Sequence, residues 1–441
     1  MKNDNTLIFL QLNEINFDLV SNYIENGVKL KNFEFVLNNF NSFNTTGEMS
    51  YEQLEPWIQW TSVYTGKTYE EHQIFRLGDT AIGEPVEQIF EILEINGKSV
   101  GSISPMNAIN NLNNPAYFIP DPWTDTNSDG SDFSKKFTNM LRQTVNDNAE
   151  GKLSKTSITT ILNSIYLGFS LKGLLRLVYL AMRSRKSKWS KALFLDQLIH
   201  MVHLNLLAKA KPDFSSIFLN AGAHVQHHYF FNAKWDEKLP KNPEWYVAND
   251  QDPILDMLKS YDKILGDYLK LSTKGNMIFI ATGLSQIPYN KAKYYYRLKN
   301  HREFLSEIGI HPVQIHARMT RDFDLKFLNE TTAKNAQKIL ENVVMEKDSL
   351  PIFSDYEIRG SNLFVSLSYP NEITNNDNIK LNNRTYTNFL SHVAFVAIKN
   401  GMHSERGYCY FSDNCSIKLP QENVHVADVF HMIKECFDLK K

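Results

Sequence analysis

The feature that most constrains the fold is a regular alternation of short apolar runs with longer segments of helical period. Short apolar runs bounded by polar turns are typical of strands buried in a parallel sheet. The clearest runs are Leu7–Leu12, Ser99–Ser104, Ser216–Leu219 and Met277–Ala281. Helical periodicity follows the first run over Phe17–Glu25 and precedes the last over Ile254–Leu271. This alternation predicts an α/β protein with a doubly wound, mostly parallel sheet.

Residues 130–212 interrupt the alternation. This stretch has little that is typical of strands, and its apolar residues recur with helical spacing over Phe133–Val145, Ser157–Met182 and Lys191–Ala210. Such a segment between two strand-rich regions predicts a helical insertion. The α/β core is therefore expected in two parts, residues 1–129 and residues 213–441.

Composition and charge narrow the function classes. The chain has 441 residues, 42% of them hydrophobic, which is ample material for a core. A net charge of -2 argues against a general nucleic-acid binder, whose affinity depends on neutralising phosphates. Three cysteines are too few for a disulfide framework or a four-thiolate zinc site, so a reducing compartment is expected.

A membrane-spanning segment is not predicted. A transmembrane helix needs roughly 18–20 uncharged apolar residues, and the nearest candidate, Ile161–Met182, contains Lys172 and Arg176. The N-terminus turns from a charged lead into a strand-like run and lacks the long apolar stretch of a signal peptide. We therefore expect a cytoplasmic protein, and peripheral association with the inner membrane is a further hypothesis.

A basic cluster is the basis of the membrane hypothesis. Arg183, Arg185, Lys186 and Lys188 directly follow a leucine-rich helical segment. These side chains could contact an anionic membrane face or steer a phosphorylated substrate. The competing interpretation is a helix with one core face and a solvated basic end, and the sequence favours it.

Three histidines follow a predicted strand. His224, His227 and His228 come directly after Ser216–Leu219, where a short loop is expected. Ligands of open α/β sheets bind at such strand ends. Buried imidazoles are costly to leave unpaired, and the spacing of His224 and His227 lets two ring nitrogens meet at one cation. The pattern indicates a metal or phosphate site, but a hydrogen-bonded polar cluster without a ligand explains it equally well.

Two acids and a further histidine occupy comparable places. Glu14 lies at the end of the first strand, where it could contact a ligand or serve only as a favourable acid at a helix start. Glu55 begins a predicted helix that contains Gln59 and ends at Gly66. His403 is expected in a loop bracketed by glycines.

Four stretches, in chain order, resemble landmarks of the alkaline phosphatase superfamily, most closely its phosphodiesterase and nucleotide-pyrophosphatase branch. They are Leu7–Asp18, Trp60–Gly66 with Glu71 and His72, Ala223–His227, and Met402–His403 with Gly407. The first is similar to the family's opening strand, which ends in a metal-binding aspartate, and the second to the segment that follows its nucleophile. The other two resemble its histidine-containing metal motifs. The resemblance implies an alkaline phosphatase-like fold and a phosphoryl-transfer site, in which active members hold two divalent metals about 4 Å apart.

The departures from the family pattern reduce the implied metal site to one half. Asn13 stands where the first aspartate is expected, and the nucleophile position falls near Glu55, which has no hydroxyl. Ala223 replaces the aspartate of the histidine motif. Ala281–Leu284 stands where the family has Ser-Asp-His-Gly, so two further ligands are lost.

What the resemblance leaves is a site for one divalent metal. His227 and His403 would be retained ligands, and His224 would take the place of the missing aspartate. Three histidines with an open fourth position suit zinc, with manganese as the alternative. A second metal is not expected, because only Glu14 and Glu55 remain to bind it.

Two hypotheses of function follow from these residues. In the favoured one the protein is a metal-dependent phosphoryl-type transferase or phosphodiesterase-like enzyme, with Glu14 or Glu55 as general base. Asn13, Gln59 and Gln226 are then candidate substrate-binding residues. The resemblance to degenerate family members implies a phosphate-containing small molecule or glycan substrate, in the modification of a capsule or O-antigen precursor. In the alternative, the chain keeps the fold as a catalytically degenerate binding or scaffold protein.

Overall fold

The chain divides into two compact units. The computed structural model describes residues 5–81, 86–146, 170–234, 238–318, 321–420 and 424–439. The first unit comprises Met1–Lys238, Asn249–Pro288 and Gly401–Lys441, and the second comprises Leu239–Ala248 and Tyr289–Asn400. The described part of the predicted helical insertion lies within the first unit. The second unit was not separated from the α/β core by the sequence analysis.

An eight-stranded sheet forms the centre of the first unit. Its strands, in spatial order, are Val424–His425, Asn41–Thr46, Arg406–Phe411, Met277–Ala281, Leu7–Leu12, Phe214–Leu219, Val100–Ile103 and Tyr117–Ile119. Arg406–Phe411 runs antiparallel to both of its neighbours, and the other neighbouring strands pair in parallel. The predicted α/β fold with a mostly parallel sheet is confirmed.

The strand register brings several strand ends to one edge of this sheet. Leu12 is opposite Leu219, and Gln11 is opposite Ala281. Because these strands are parallel, the residues that follow all three emerge at the same edge. Glu14, the histidine segment and the turn at Thr282 are therefore neighbours, as open α/β sheets require for a ligand site.

Helices cover both faces of the sheet. They are Phe17–Glu25, Lys31–Asn39, Pro56–Thr65, Tyr69–His72, Ile89–Ile95, Asp132–Asn146, Leu171–Arg183, Ser190–Ala210, Ala221–Tyr229, Pro253–Ser272 and Asp428–Glu435. Pro56–Thr65, Ile89–Ile95 and Asp428–Glu435 pack together over one strand face, which presents residues such as Phe9 and Phe214. Alternate strand residues, such as Ile8 and Ile217, are equally buried, because further helices cover the other face.

Within residues 130–212 the described helices are Asp132–Asn146, Leu171–Arg183 and Ser190–Ala210. The prediction over Ser157–Met182 falls partly on residues 157–169, which lie outside the described ranges. Among the helices of the described residues, none has the length and apolarity that a bilayer span requires.

Two local predictions were wrong. The expected loop after Leu219 is the helix Ala221–Tyr229, because the Asp196 carboxylate accepts a hydrogen bond from the Ala221 amide at 2.8 Å and so caps its start. The expected loop around His403 is the end of the strand Val393–Ser404, which pairs with Ser285–Leu298.

The second unit is built on antiparallel pairing. A four-stranded sheet has the order Phe353–Arg359, Asn362–Leu367, Asp322–Lys326 and Gln314–Ala317, and a three-stranded sheet has the order Val343–Met345, Ile379–Leu381 and Arg384–Tyr386. The helices His301–Glu307 and Glu330–Glu341 complete it. Its hydrophobic core, which includes Phe304, Phe323 and Leu363, consists of residues of this unit.

Candidate metal centre

Glu14 is held in an unusual backbone conformation at the end of the first strand. Its φ is 61°, in the left-handed region that residues with a Cβ rarely adopt. The Glu14 amide donates to the Thr282 carbonyl at 3.0 Å, which fixes this turn across two neighbouring strand ends. Backbone strain of this kind concentrates at functional sites, where surrounding structure maintains it.

The Glu14 side chain meets two histidines. Its Oε2 lies 3.2 Å from His227 Nε2 and 3.2 Å from His403 Nε2. The two Nε2 atoms are also 3.2 Å apart, so the three atoms form a nearly equilateral triangle. Ligands about 2.0–2.1 Å from a tetrahedral zinc are separated by about 3.3 Å. The edges of the triangle therefore match one face of such a coordination sphere.

The hydrogen bonds behind the imidazoles favour metal binding. His227 Nδ1 lies 3.2 Å from the Gly401 carbonyl, which can only accept, so Nδ1 carries the proton. In neutral His227 the Nε2 lone pair then faces the Glu14 carboxylate. Two acceptors at such a distance repel each other unless a cation lies between them. The Glu55 carboxylate lies 3.7 Å from His403 Nδ1, which is beyond hydrogen-bond distance but close enough for its charge to favour a proton on that nitrogen.

Neighbouring amides hold the Glu14 carboxylate in place. Asn13 Nδ2 donates to Oε1 at 2.9 Å, and Gln286 Nε2 donates to Oε2 at 2.5 Å. Burial raises the pKa of the Glu14 carboxyl, but the charges of His403 and His227 in their protonated forms, with their hydrogen bonds, outweigh burial and hold that pKa well below its usual value. A divalent cation between the three side chains would keep the carboxylate ionised in the same way while both imidazoles are neutral.

His224 is not part of this convergence. Among the described residues, one group of histidine, cysteine or acidic side chains is close enough together to hold an ion, and it consists of Glu14, His227 and His403. The His224 ring instead packs against His228, with ring centroids 4.8 Å apart. On a helix the two residues are neighbours of the i, i+4 kind, so the change from loop to helix accounts for their contact.

Comparisons with known proteins returned structural likeness only. No protein-family model and no curated protein matches the chain. Among solved structures, phosphonoacetate hydrolase from Sinorhizobium meliloti 1021 shares 12% identity over 98% of this chain and 96% of its own, with a TM-score of 0.44. Human ectonucleotide pyrophosphatase/phosphodiesterase 5 shares 9% sequence identity over 99% of this chain and 96% of its own, with a TM-score of 0.45. Alkaline phosphatase from the Antarctic bacterium TAB5 shares 9% over 99% of each chain, with a TM-score of 0.43.

All three are members of the alkaline phosphatase superfamily. Because the identities and TM-scores are low, what the site can do has to follow from its own residues.

Two of the predicted substrate-binding side chains are committed to the protein. Asn13 Nδ2 also donates to Asn220 Oδ1 at 2.8 Å, and Asn13 Oδ1 accepts from Trp60 Nε1 at 2.7 Å. Gln226 Nε2 donates to the Glu14 carbonyl at 2.8 Å, and its Oε1 accepts from the Asn16 amide at 3.2 Å. Both residues fix the turn that carries Glu14.

The third predicted substrate-binding residue, Gln59, is also buried, and its Nε2 donates to the Gln53 carbonyl at 2.8 Å. Its Oε1 makes no hydrogen bond within the described structure. Of the three predicted substrate-binding residues, Gln59 is therefore the one with a side-chain oxygen that accepts no hydrogen bond from the described protein.

A serine–histidine pair in the segment after Glu55 does not form a nucleophile. His72 Nδ1 accepts from the Ile74 amide at 3.0 Å, so Nε2 carries the proton and donates to Ser62 Oγ at 3.2 Å. Ser62 in turn donates to the Ile58 carbonyl at 3.3 Å. Burial is the main cause that lowers the pKa of His72 to about 4, and its imidazole is already a donor to the serine it would have to deprotonate.

Gln286 supports the centre and has a signal in the sequence, since it follows the strand Met277–Ala281 as Glu14 follows its own. The Gly401 carbonyl and the Asp196 carboxylate have no such signal, because a backbone oxygen and a residue far away in sequence are brought in by tertiary packing.

Proposed function

We propose that the chain is a metal-dependent enzyme that transfers or hydrolyses a phosphoryl-type group at a single divalent metal. The observation that carries the proposal is the triangle of Glu14 Oε2, His227 Nε2 and His403 Nε2, with each edge 3.2 Å long. Two imidazoles and one carboxylate with an open fourth position make a donor set that suits catalytic zinc, and manganese is the alternative. In this proposal Glu14 is a ligand, a role that the sequence assigned to His224.

Each residue of the centre then has a defined task. A bound metal would supply Lewis-acid polarisation of a phosphoryl oxygen. His227 presents its lone pair because the Gly401 carbonyl keeps the proton on Nδ1, and the charge of Glu55 acts on His403 from the opposite side of its ring. Asn13 and Gln286 keep the carboxylate of Glu14 in one rotamer. Glu55 is also the remaining candidate for general base, since its side chain is one-third exposed and Glu14 is enclosed.

The substrate class follows from the family resemblance. We infer a phosphate-containing small molecule or glycan, in a cytoplasmic reaction that modifies a capsule or O-antigen precursor. No activated hydroxyl accompanies the centre among the groups described above, which favours direct in-line attack by the acceptor over a covalent phosphoryl-enzyme.

Metal analysis of protein purified without a histidine tag tests the centre. We expect about one equivalent of zinc or manganese, lost in His227→Ala and in His403→Ala. The matched control is His224→Ala, which removes an imidazole from the same helix and should keep the metal. Loss of metal in His224→Ala with retention in His403→Ala would refute the proposed ligand set.

Activity is tested with bis(p-nitrophenyl) phosphate and p-nitrophenyl phosphate, with an added glycan acceptor in a parallel series. We expect turnover of one ester class that chelation abolishes and that Glu14→Gln lacks. If the protein retains its metal but hydrolyses neither ester and transfers no group to the acceptor, the proposal that it is an enzyme is contradicted.

A non-catalytic binding or scaffold role is the second candidate. It is favoured by the hydrogen bond from Trp60 to Asn13, which fills the position of an expected ligand. It is also favoured by the absence of a hydroxyl at Glu55. Under this alternative the metal content is unchanged but every ester test is negative.

A further inference from the structure

The helix Leu171–Arg183 presents two apolar faces. Gly173, Leu177 and Leu180 are buried, and Gly173 is so close to Met201 that an added Cβ would lie 2.5 Å from its Cε. On the opposite side large apolar side chains are exposed: Leu171 by 73%, Leu175 by 61%, Val178 by 53%, Tyr179 by 51% and Met182 by 61%. We call these five residues the apolar stripe.

The spacing of the apolar stripe makes it continuous. At 3.6 residues per turn its members fall within about 100° of arc, on the side of the helix opposite the buried residues. Scattered exposed apolar residues are normal on a soluble protein, but a contiguous patch marks a contact surface. The helix therefore packs against the protein through one face, and its other apolar face is exposed to contact a partner.

The charge around the stripe is of one sign. Residues 170–195 contain seven basic side chains and no acidic one: Lys172, Arg176, Arg183, Arg185, Lys186, Lys188 and Lys191. Arg176 pairs with Asp267 and Arg183 with Asp256, which fixes the helix to Pro253–Ser272. The other five are exposed and form no ion pair among the described residues. The whole chain has a net charge of -2, so this excess is strongly local.

We propose that the apolar stripe and the basic residues beside it dock the protein on a membrane surface that contains anionic lipid. A helix of this type lies in the interface, with its apolar side chains about 5–10 Å into the headgroup boundary and its cations near lipid phosphates. Tyr179 at the border of the stripe suits that depth, because its ring is apolar and its hydroxyl polar. The docking is independent of the chemistry at the metal centre.

This surface refines the earlier membrane hypothesis. Arg183 was counted among the lipid contacts, but its guanidinium is bound to Asp256. Lys172, Arg185, Lys186 and Lys188 are the exposed charges nearest in sequence to the stripe. The apolar contribution comes from the stripe, which the interpretation as a helix with one core face did not include.

Vesicle flotation of the full chain tests the docking. The probes are vesicles of phosphatidylcholine alone and of phosphatidylcholine mixed with phosphatidylglycerol. We expect flotation with the mixed vesicles that falls with added salt. The combined change Arg185→Gln, Lys186→Gln and Lys188→Gln should lower the partition coefficient about a hundredfold, since each basic residue near an anionic surface contributes about fivefold.

The stripe is tested by the combined change Leu175→Ser, Val178→Ser and Met182→Ser, which should abolish flotation while near-ultraviolet circular dichroism stays unchanged. Controls change exposed residues of the same kinds in the second unit. Val313→Ser with Leu328→Ser is the apolar control, and Arg302→Gln with Lys326→Gln and Lys338→Gln is the charge control. Both controls should float like the unaltered protein.

Three outcomes would overturn the proposal. Flotation that survives the stripe variant would show charge attraction without insertion. A dimer in sedimentation that the stripe variant dissociates, without vesicle binding, would assign the stripe to a second copy of the chain. A monomer that binds neither vesicle would show that the stripe does not contact lipid.

Discussion

At the residue scale, one carboxylate holds the candidate centre together. Glu14 contacts both imidazoles, and Asn13 and Gln286 fix its two oxygens. Glu55 lies beside the same cluster, 3.7 Å from His403 Nδ1. The two acids that the sequence treated as equivalent therefore have different environments, and their substitutions should differ in size.

Glu14→Gln and Glu55→Gln should weaken metal affinity unequally. Loss of a hydrogen-bonded outer partner costs about 10–100-fold, and Glu55→Gln should fall at or below the lower end of that range because Glu55 is 3.7 Å from His403. Glu14→Gln removes a ligand atom and should cost more than that. Competition titration with a chromophoric chelator measures both dissociation constants. Equal effects, or a larger effect of Glu55→Gln, would mean that Glu14 does not coordinate the metal.

Asp196 gives the protein a specific pH dependence. Burial raises the pKa of Asp196 to about 6, although hydrogen bonds from Tyr261 and the Ala221 amide oppose the rise. Because the folded state holds this proton more tightly than the unfolded state, the contribution of Asp196 to stability falls as pH rises from about 4 to about 6 and is constant above.

Asp196→Asn should remove that component. The free energy of unfolding of the unaltered protein relative to the variant should fall by up to about 3 kcal/mol between about pH 4 and pH 7. Urea unfolding of both proteins at a series of pH values measures it. A difference that is flat or that grows with pH would contradict the assigned environment of Asp196.

At the element scale, the helix Ala221–Tyr229 positions His227. Its first turn is held by the Asp196 carboxylate and by the Tyr261 hydroxyl, which accepts from the Gly222 amide at 2.9 Å. Gly222 allows close approach to Ile15, since an added Cβ would lie 2.3 Å from Ile15 Cδ1. The position of the imidazole therefore depends on a small residue one turn before it.

Gly222→Ala should displace this helix. We expect destabilisation by about 1–3 kcal/mol, the usual cost of overpacking, together with weaker metal binding. Ile15→Val removes the atom that clashes, so the double variant should recover part of both losses. Urea unfolding and metal titration of the two single variants and the double variant form the cycle. Strict additivity would show that Ile15 is not the obstacle.

At the scale of the whole molecule, the centre links ends of separate chain segments. Glu14, His227 and His403 are far apart in sequence and all belong to the first unit. A ligand that binds only when these segments are folded together stabilises the folded state by mass action. The second unit has its own hydrophobic core and contributes no residue to the triangle.

Metal addition should therefore raise the thermal stability of the intact protein. At a free metal concentration of 100 times the dissociation constant the gain is about 2.7 kcal/mol. Differential scanning calorimetry of chelated and reloaded protein measures the shift in Tm. His227→Ala should show no shift over the same range. An equal rise in that variant would indicate binding elsewhere on the molecule.

The sequence by itself determined four strands of the central sheet, several of the helices and the edge of that sheet at which the candidate site lies. Periodicity is a local property, so Leu7–Leu12 and Met277–Ala281 were predicted within the bounds observed. Glu14 and His227 were candidates because they follow predicted strands, and His403 was a candidate because of the family resemblance. The prediction failed in detail at His224, because a predicted loop became a helix.

Only the tertiary structure decided which donors meet and in which protonation state. The start of the helix after Leu219 depends on a carboxylate from the helix Ser190–Ala210, and the tautomer of His227 depends on the Gly401 carbonyl. The separate second unit is also a tertiary outcome, because antiparallel pairing of its strands is not encoded in their period. Such contacts join residues that are distant along the chain, and a single sequence does not show which distant residues lie close together in space. The alternation of strands and helices therefore determined where a site could form, and packing determined its chemistry.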